Sequence, residues 1–404
     1  MSGAPRTHGA AASRAASGDV VVRAHTPVWL RMTIMSLSHF TNDLYAAFLA
    51  PLLPLVVAKF NLSLALAGLL GTMFNMSAAF AQPVFGVVAD RMSRPIFTVV
   101  GPLLTAATMG LLGVVPSYGM MLAALFVAGV GTASFHPQSF ALAGTVSAEQ
   151  RGTGLSVFIA GGELGYALGP LFVAVIVTAL GLVGTLVAVA PGLAACAVIW
   201  WYVRSWRVVR RPPEEGWRSD VRRHGRAFVL IWFIVVLRSI IALAHILFLP
   251  LLLRQQGQSL VLGGTAVFLF GGIGALGGLV GGMLSDRMGR RAMMALSLLA
   301  SAPLLLLFGL TRGPWALVPL ALGGFALYLG APVNIVMAQE MLPRRASLAS
   351  SLVTGMAWGT AGLSLTLIGA VADRVGLAAT LMATVALVLP ALVAVWVLPE
   401  YPGR

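Results

Sequence analysis

Two stretches of the sequence decide the fold: residues 86–94 (GVVADRMSR) and residues 282–290 (GMLSDRMGR). Each follows a long apolar run, and both read G-x-x-x-D-R-M-[S/G]-R. One charged loop of this kind would carry little information, but two copies at equivalent positions indicate that the chain consists of two duplicated halves. In such a loop the glycine lets another helix approach closely, and the Asp and Arg side chains can form charged contacts that latch one side of a gate. The predicted gating residues are Gly86, Asp90, Arg91, Arg94, Gly282, Asp286, Arg287 and Arg290.

The composition places most of the chain in a lipid bilayer. Of its 404 residues, 59% are hydrophobic and only 9% are charged, and the mean hydropathy is +0.93. A soluble protein of this length needs more charged residues to cover its surface. Twelve apolar runs are each long enough to cross the hydrocarbon core as a helix. The sequence therefore predicts an all-α membrane protein built from two pseudo-symmetric bundles of six transmembrane helices.

The polar segments of the sequence set the domain boundaries. Residues 1–27 are rich in Ala, Gly and Ser and are predicted to form a disordered tail. The two bundles are predicted at residues 28–203 and 227–398, joined by a polar linker at residues 204–226 and followed by a short tail at residues 399–404. The prolines and the glycine of the linker argue against one continuous helix there, although it can hold a short surface helix.

The excess of basic residues is explained by membrane topology. The net charge is +14, and the arginines concentrate in the N-terminal tail, the two gating loops and the linker, which lie on one face if the chain crosses the membrane twelve times. The other face carries only Lys59, Arg254, Arg312 and Arg374. The positive-inside rule then predicts that both termini are cytoplasmic and that the protein is a multi-pass component of a bacterial-type inner membrane. This distribution argues against a nucleic-acid partner, and we expect a monomer.

Three further stretches carry a family resemblance: residues 38–45 (SHFTNDLY), 129–137 (GVGTASFHP) and 161–170 (GGELGYALGP). With the repeated loop and the six-loop-six layout, the chain resembles the major facilitator superfamily. The three stretches are similar to the fosmidomycin-resistance branch of its drug-efflux carriers. The resemblance implies proton-driven export of a small toxic compound, often anionic or amphiphilic. Many drug/proton antiporters of the superfamily carry an arginine at the position of Leu125, so their arginine-based coupling scheme cannot be transferred.

Ionisable residues near the middle of the predicted helices mark the transport pathway, because a charge at the bilayer centre is costly. Glu163 and Asp43 are predicted to carry the proton, and His39 lies four residues before Asp43 on the same helical face. A structural polar role remains open for both acids. Glu163 lies beside a glycine stripe that allows close helix packing and precedes a proline that can bend the helix. The predicted hinge of helix five consists of Gly161, Gly165, Gly169 and Pro170.

Arg238 is the deep arginine of the chain, and two roles remain open for it: pairing with a carboxylate or binding an anionic, phosphonate-like substrate. For the other polar and aromatic candidates inside the helices, both a packing role and a substrate-binding role remain open. The predicted substrate-binding residues are Arg238, His136, His245, Tyr45, Asn42, Gln138 and Trp358.

Several other activities lack their motifs. The sequence has no G-x-x-x-x-G-K-[ST] loop, so an ion gradient, most simply of protons, is the expected energy source. The six histidines and one cysteine show no zinc spacing, so neither a metal nor any other cofactor is predicted. No clustered nucleophile and base point to an enzyme. The alternatives that remain open are a proton symporter or uniporter that imports a metabolite and, with less support, a membrane sensor or enzyme without transport.

Overall fold

A computed structural model of the chain describes residues 21–23, 26–146, 151–209, 217–341, 349 and 352–399. The described chain is almost entirely helical. The helices of the first half are α1 Val28–Ala46, α2 Leu49–Phe60, α3 Leu64–Phe80, α4 Gln82–Asp90, α5 Phe97–Leu111, α6 Tyr118–Val146, α7 Arg151–Leu180 and α8 Gly184–Val203. Those of the second half are α9 Trp217–Gln255, α10 Leu260–Met288, α11 Arg290–Leu310, α12 Leu317–Tyr328, α13 Ala331–Met341, α14 Ala357–Val375, α15 Leu377–Val385 and α16 Val388–Val397, with a π-helix at Leu352–Met356 before α14.

These helices form the twelve predicted membrane crossings. Eleven stretches of the described chain are long and apolar enough to span a bilayer, and Phe97–Leu111 is a shorter apolar helix between the second and third of them. Counted in order, α1–α2 form span 1, α3–α4 span 2, and α5 to α11 spans 3 to 9. Span 10 is α12–α13, span 11 is the π-helix with α14, and span 12 is α15–α16. The all-helical, twelve-span prediction is confirmed.

Two short segments differ from the predicted boundaries. Strand β1, Val21–Arg23, pairs in antiparallel fashion with strand β2, Arg207–Val209, so part of the predicted disordered tail forms a two-stranded sheet with the linker. Helix α9 begins at Trp217, inside the predicted linker. The apolar run could not show this, because the first turns of the helix are polar and lie beyond the hydrophobic segment. Residues 210–216, with the two prolines of the linker, lie outside the described residues.

The arginines at the ends of the spans distinguish the two faces of the bundle. At one face Arg290, at the start of span 9, pairs with Glu340 at the end of span 10. Arg291 contacts the backbone carbonyl of Trp396, near the end of span 12. We call this the arginine-rich face, since it also carries both gating loops and the linker. The arginine-poor face contains the ends of the odd-numbered spans in the first half, including Lys59.

Span 5 packs against span 1 along the predicted glycine stripe. The stripe follows successive turns of span 1, with Gly161 on Ser36, Gly165 on Phe40 and Gly169 on Leu44. At the last two contacts the neighbouring atom is a backbone carbonyl oxygen, so the two helix axes approach as closely as backbones allow. Helix α7 continues through Pro170 without interruption. This packing fixes the orientation of the polar residues that both spans carry.

We expect Gly165→Ala to destabilise the protein by about 1–3 kcal/mol, because the added methyl group would collide with the carbonyl oxygen of Phe40. Gly271→Ala is the matched control, since a Cβ at Gly271 would meet no atom within 4 Å. Thermal unfolding in detergent should show a lower midpoint for Gly165→Ala only. Equal midpoints for the two variants would contradict the packing argument.

The two halves contact each other through span 2 against span 11 and span 5 against span 8. Toward the arginine-poor face, Gly68 lies against the carbonyl of Leu365, and Gly264 lies against that of Pro170. Thr72 donates a hydrogen bond of 2.7 Å to the carbonyl oxygen of Gly362. The halves are therefore joined by direct backbone packing on this side.

The gating loops occupy equivalent positions in the two halves. A Cβ built at Gly86 would lie 3.7 Å from Pro137 of span 4, and one built at Gly282 would lie 3.7 Å from Pro332 of span 10. Both glycines thus face a proline of the neighbouring span. The exposed charged side chains of the loops are Arg91, Arg94, Asp286 and Arg287. Among the described side chains no ion pair links the loops of the two halves, and the side chain of Asp90 lies outside the described residues.

Candidate functional site

A cluster of three polar side chains joins spans 1 and 4. His39 Nε2 lies 3.2 Å from Asp43 Oδ2, and His136 Nε2 lies 3.9 Å from Asp43 Oδ1. His39 is 6% exposed and Asp43 17%, so the pair is largely removed from solvent. The spacing of His39 and Asp43 on one helix predicted their contact, whereas the approach of His136 depends on the packing of the two spans. We refer to His39, Asp43 and His136 as the acid–histidine cluster.

The hydrogen bonds of His39 require a proton between His39 and Asp43. Its Nδ1 lies 2.9 Å from the backbone carbonyl oxygen of Phe158, which can only accept, so Nδ1 carries a hydrogen. In a neutral ring Nε2 is then an acceptor, and an ionised Asp43 would present a second acceptor at 3.2 Å. This contact is favourable only when a proton lies between the two atoms, either on the imidazole or on the carboxyl group.

The neighbours of the cluster hold both groups in place. Asn42 donates a hydrogen bond of 2.8 Å to Asp43 Oδ1, and its own carbonyl oxygen accepts one of 3.2 Å from Thr105 of span 3. The ring of His39 stacks on Phe158 at 4.2 Å between centroids. A Cβ at Gly162 would collide with the same ring. The geometry of the His39–Asp43 contact is therefore set by four surrounding residues of spans 1, 3 and 5 and not by the two side chains alone.

The acid–histidine cluster also brings together ligand atoms of the kinds that bind metal ions. His39, Asp43 and His136 each offer one ligand atom, and these atoms lie within 4.8 Å of one another. The linear spacing of the histidines showed no such set, because His136 is brought in from another span. His39 and Asp43 already bond directly to each other, which accounts for their contact without an ion. The absence of a metal stays a prediction.

Glu163 faces the space between the two halves. It is exposed although it lies well inside span 5. Ala167 and Pro170, one and two turns further along the same face, contact Gly272 and Gly264 of span 8. Glu163 therefore lies just beyond the point where the halves meet, on the side of the arginine-rich face. It is within electrostatic range of the acid–histidine cluster.

Arg238 is a buried cation without an anionic partner among the described residues. Its side chain belongs to span 7 and is 5% exposed. The Nε atom has no hydrogen-bond partner, and the guanidinium carbon lies 5.7 Å from the ring centroid of Tyr328 in span 10. It makes no ion pair with Asp43 or Glu163. A charge buried in this way is expensive unless an anion compensates it.

The other predicted substrate-binding residues are engaged with the protein to different degrees. His245 bonds to the carbonyl of Ile241 at 2.8 Å and stacks on Phe270. Gln138 accepts a hydrogen bond of 2.8 Å from the backbone of Phe97, while its amide nitrogen has no partner. Trp358 is partly buried against the hydrophobic core. Asn42 is fully buried, where it holds Asp43.

Tyr45 is placed in the contact between spans 1 and 6. Its hydroxyl donates to the carbonyl oxygen of Ala188 at 2.6 Å and accepts from the amide of Gly192 at 2.8 Å. In an uninterrupted helix these two backbone groups would bond to each other. The hydroxyl is thus inserted into the backbone hydrogen bonds of span 6, next to Pro191, which has no amide hydrogen of its own. With both hydrogen bonds taken by the backbone and a side chain that is 1% exposed, Tyr45 ties two helices together.

Sequence reasoning did not single out Thr105, Phe158 or Gly162 as parts of the site. Thr105 and Phe158 read as ordinary core residues of apolar helices, and Gly162 reads as a member of a glycine-rich packing surface. Phe158 and Gly162 belong to the site because His39 lies against them, and Thr105 belongs to it through its hydrogen bond to Asn42. Only the arrangement of spans 1, 3 and 5 around His39 and Asp43 shows these contacts.

Comparisons with known proteins agree with this architecture. The family described as Major Facilitator Superfamily matches residues 35–363 and 231–404. The chain is 29% identical over 347 residues to the Fosmidomycin resistance protein of Escherichia coli (strain K12), which covers 84% of this chain and 86% of that protein. It is 30% identical over 381 residues to the uncharacterized MFS-type transporter YfnC of Bacillus subtilis (strain 168), covering 90% of this chain and 91% of that protein.

Solved structures share the fold at lower sequence identity. A bacterial homolog of the human lysosomal transporter Spinster, in an inward-facing and unoccupied conformation, aligns with a TM-score of 0.79 and 17% identity over 93% of this chain and 98% of that one. The nucleoside transporter NupG aligns with a TM-score of 0.73 and 14% identity, covering 93% of this chain and 100% of that one. At these identities the similarity establishes the fold and not the substrate.

Proposed function

Because the chain belongs to the major facilitator superfamily of membrane transporters, which are not enzymes, we propose that it is a proton-coupled antiporter that exports a small toxic compound or drug. Its two halves alternate access to a central site, and the inward proton gradient supplies the energy. No other cofactor takes part. The arginine distribution supports cytoplasmic termini in a bacterial-type inner membrane, and the protein acts as a monomer.

The observation that carries the proposal is the 3.2 Å contact between His39 Nε2 and Asp43 Oδ2, in a ring whose Nδ1 already donates to Phe158. We infer from it a proton shared by the two side chains. A group that must hold a proton in one arrangement and can lose it in another is what a coupling mechanism requires. Access of water to the pair would release that proton, and the rocking of the two halves would provide that access. Glu163, exposed between the halves and within range of the cluster, is the second proton-carrying acid.

Arg238 supports an anionic substrate. A guanidinium group that is buried and unpaired attracts a carboxylate, phosphate or phosphonate, and its planar fork can bind such a group through two parallel hydrogen bonds. Tyr328, next to Arg238, offers an aromatic ring to the organic part of the substrate. The 29% identical relative named for fosmidomycin resistance supports export as the direction and a drug as the cargo.

Substrate-stimulated proton movement in proteoliposomes tests the proposal. Vesicles with an acidic lumen and an enclosed pH-sensitive dye would be exposed to fosmidomycin, other small phosphonates and common cationic drugs. We expect protons to leave the lumen when a transported phosphonate is added outside. The rate should increase with the amount of the transporter in the vesicles and be absent from vesicles without it. Substrate flux without any proton signal would contradict proton coupling and favour a uniporter. Proton movement in the same direction as the substrate would favour a symporter.

A further inference from the structure

We infer that Asp373 is a latch that holds the two halves together at the arginine-poor face. Asp373 lies near the end of span 11, and its carboxylate accepts two hydrogen bonds from the start of span 2. The amide of Leu64 donates to Oδ1 at 2.7 Å, and the amide of Ala65 donates to Oδ2 at 2.9 Å. Both bonds cross from one half of the chain to the other.

The latch completes the cap of the span 2 helix. Helix α3 begins at Leu64, and the first amides of a helix have no carbonyl partner within it. Ser63 caps the amide of Leu66 from the same half, while Asp373 takes the two amides before it. A negative charge is also favoured at this end of a helix by the helix dipole. The free terminus of one half is therefore satisfied by the opposite half.

The surrounding packing makes the latch sensitive to movement between the halves. Gly369, one turn before Asp373, lies against the carbonyl of Leu64, and Gly68 lies against that of Leu365. Spans 2 and 11 have no room to slide here while they remain in contact. If span 2 separates from span 11 to open this face, both hydrogen bonds to Asp373 must break together.

The sequence repeats the gating motif at this opposite face. Residues 369–374 read GAVADR, and the first gating loop reads GVVADR over residues 86–91. The glycine permits the close approach and the aspartate follows one turn later, as the latch geometry requires. One motif thus serves a loop at the arginine-rich face and a latch at the arginine-poor face. This inference rests on the alternating-access part of the proposed function and not on the coupling ion or the substrate.

Distance measurement between spin labels tests the latch in the purified full-length protein. Labels would be placed at the exposed positions Leu66→Cys and Val375→Cys after replacing the buried Cys196 with alanine. Dipolar broadening of the continuous-wave spectrum then reports the population of short separations at the arginine-poor face, and double electron–electron resonance reports the population of long ones. We expect Asp373→Asn to increase the ratio of long to short separations roughly tenfold, because the charge at the helix terminus is lost.

A second variant removes the latch from the other half. Proline is tolerated as the first residue of a helix, and Ser63 already has the extended backbone (φ −68°, ψ 162°) that precedes proline readily. Leu64→Pro therefore deletes one donor to Asp373 and leaves the hydrogen bonds within the helix intact. We expect about a threefold increase in the ratio, and less than additive effects when Leu64→Pro and Asp373→Asn are combined.

Ser63→Ala is the matched control. It removes a cap from the same helix end without crossing between the halves, so it should leave the populations as they are in the parent. Wild-type populations in both Asp373→Asn and Leu64→Pro would overturn the latch. So would an equal shift in Ser63→Ala, since that would reflect helix-end stability alone. If the labels show a single separation in every variant, with or without substrate and at every pH tested, the halves do not move at this face. That result would overturn the alternating access on which the latch rests.

Discussion

Asp43→Asn is expected to reduce gradient-driven transport by roughly 100-fold, as is typical when a positioned proton-transfer group is removed. The amide keeps the size and polarity of the side chain, and it can still bond to His39. It cannot take up or release a proton within the accessible pH range. Uptake into proteoliposomes with and without an imposed pH gradient would measure the loss.

Substrate counterflow is the control for this variant, because exchange of labelled for unlabelled substrate needs no net proton movement. Asp43→Asn should retain counterflow if the substrate site and the rocking of the halves are intact. Glu163→Gln, measured in parallel, shows which acid carries the transported proton. Full gradient-driven transport by Asp43→Asn would exclude the shared proton as the coupling element. The same result in the double variant of both acids would refute proton coupling through these carboxylates.

Arg238→Ala is expected to weaken binding of an anionic substrate at least roughly 30-fold, since removing one partner of a buried charge pair costs about 2–5 kcal/mol. Arg238→Lys should recover only part of the affinity, because the ammonium group keeps the charge but lacks the planar fork. Equilibrium binding to the purified protein, with a phosphonate and with its neutral ester, separates the role of charge from that of shape.

Arg254→Ala is the matched control for Arg238→Ala, because Arg254 lies at the end of the same helix but is exposed. It should leave both affinities unchanged. If Arg238 serves only to stabilise the fold, Arg238→Ala will lower the unfolding temperature and weaken the phosphonate and the ester equally. Selective loss of the phosphonate, with little change in unfolding temperature, is the result that supports an anion site.

The sequence alone determined the architecture of this protein. Lipid offers no hydrogen bonds to the backbone, so apolar runs of sufficient length must be helices, and their number and order follow directly. The repeated loops at residues 86–94 and 282–290 revealed the duplicated halves. The same helix packing in each half requires the same residue types at equivalent positions. Spacing within one helix also predicted contacts between neighbours on it, such as that of His39 with Asp43.

Only the tertiary structure decided which residues of different helices meet. Periodicity shows which side chains share a face of one helix, but not which neighbouring helix that face contacts or at what depth. It could not place His136 beside Asp43 or engage the hydroxyl of Tyr45 in the backbone of span 6. Nor could it show that Arg238 has no anionic partner among the side chains that the structure describes. The contact of Asp373 with Leu64, 309 residues earlier, is the extreme case. It exists because a free helix terminus in one half needs an acceptor, and helix packing brings that acceptor from the other.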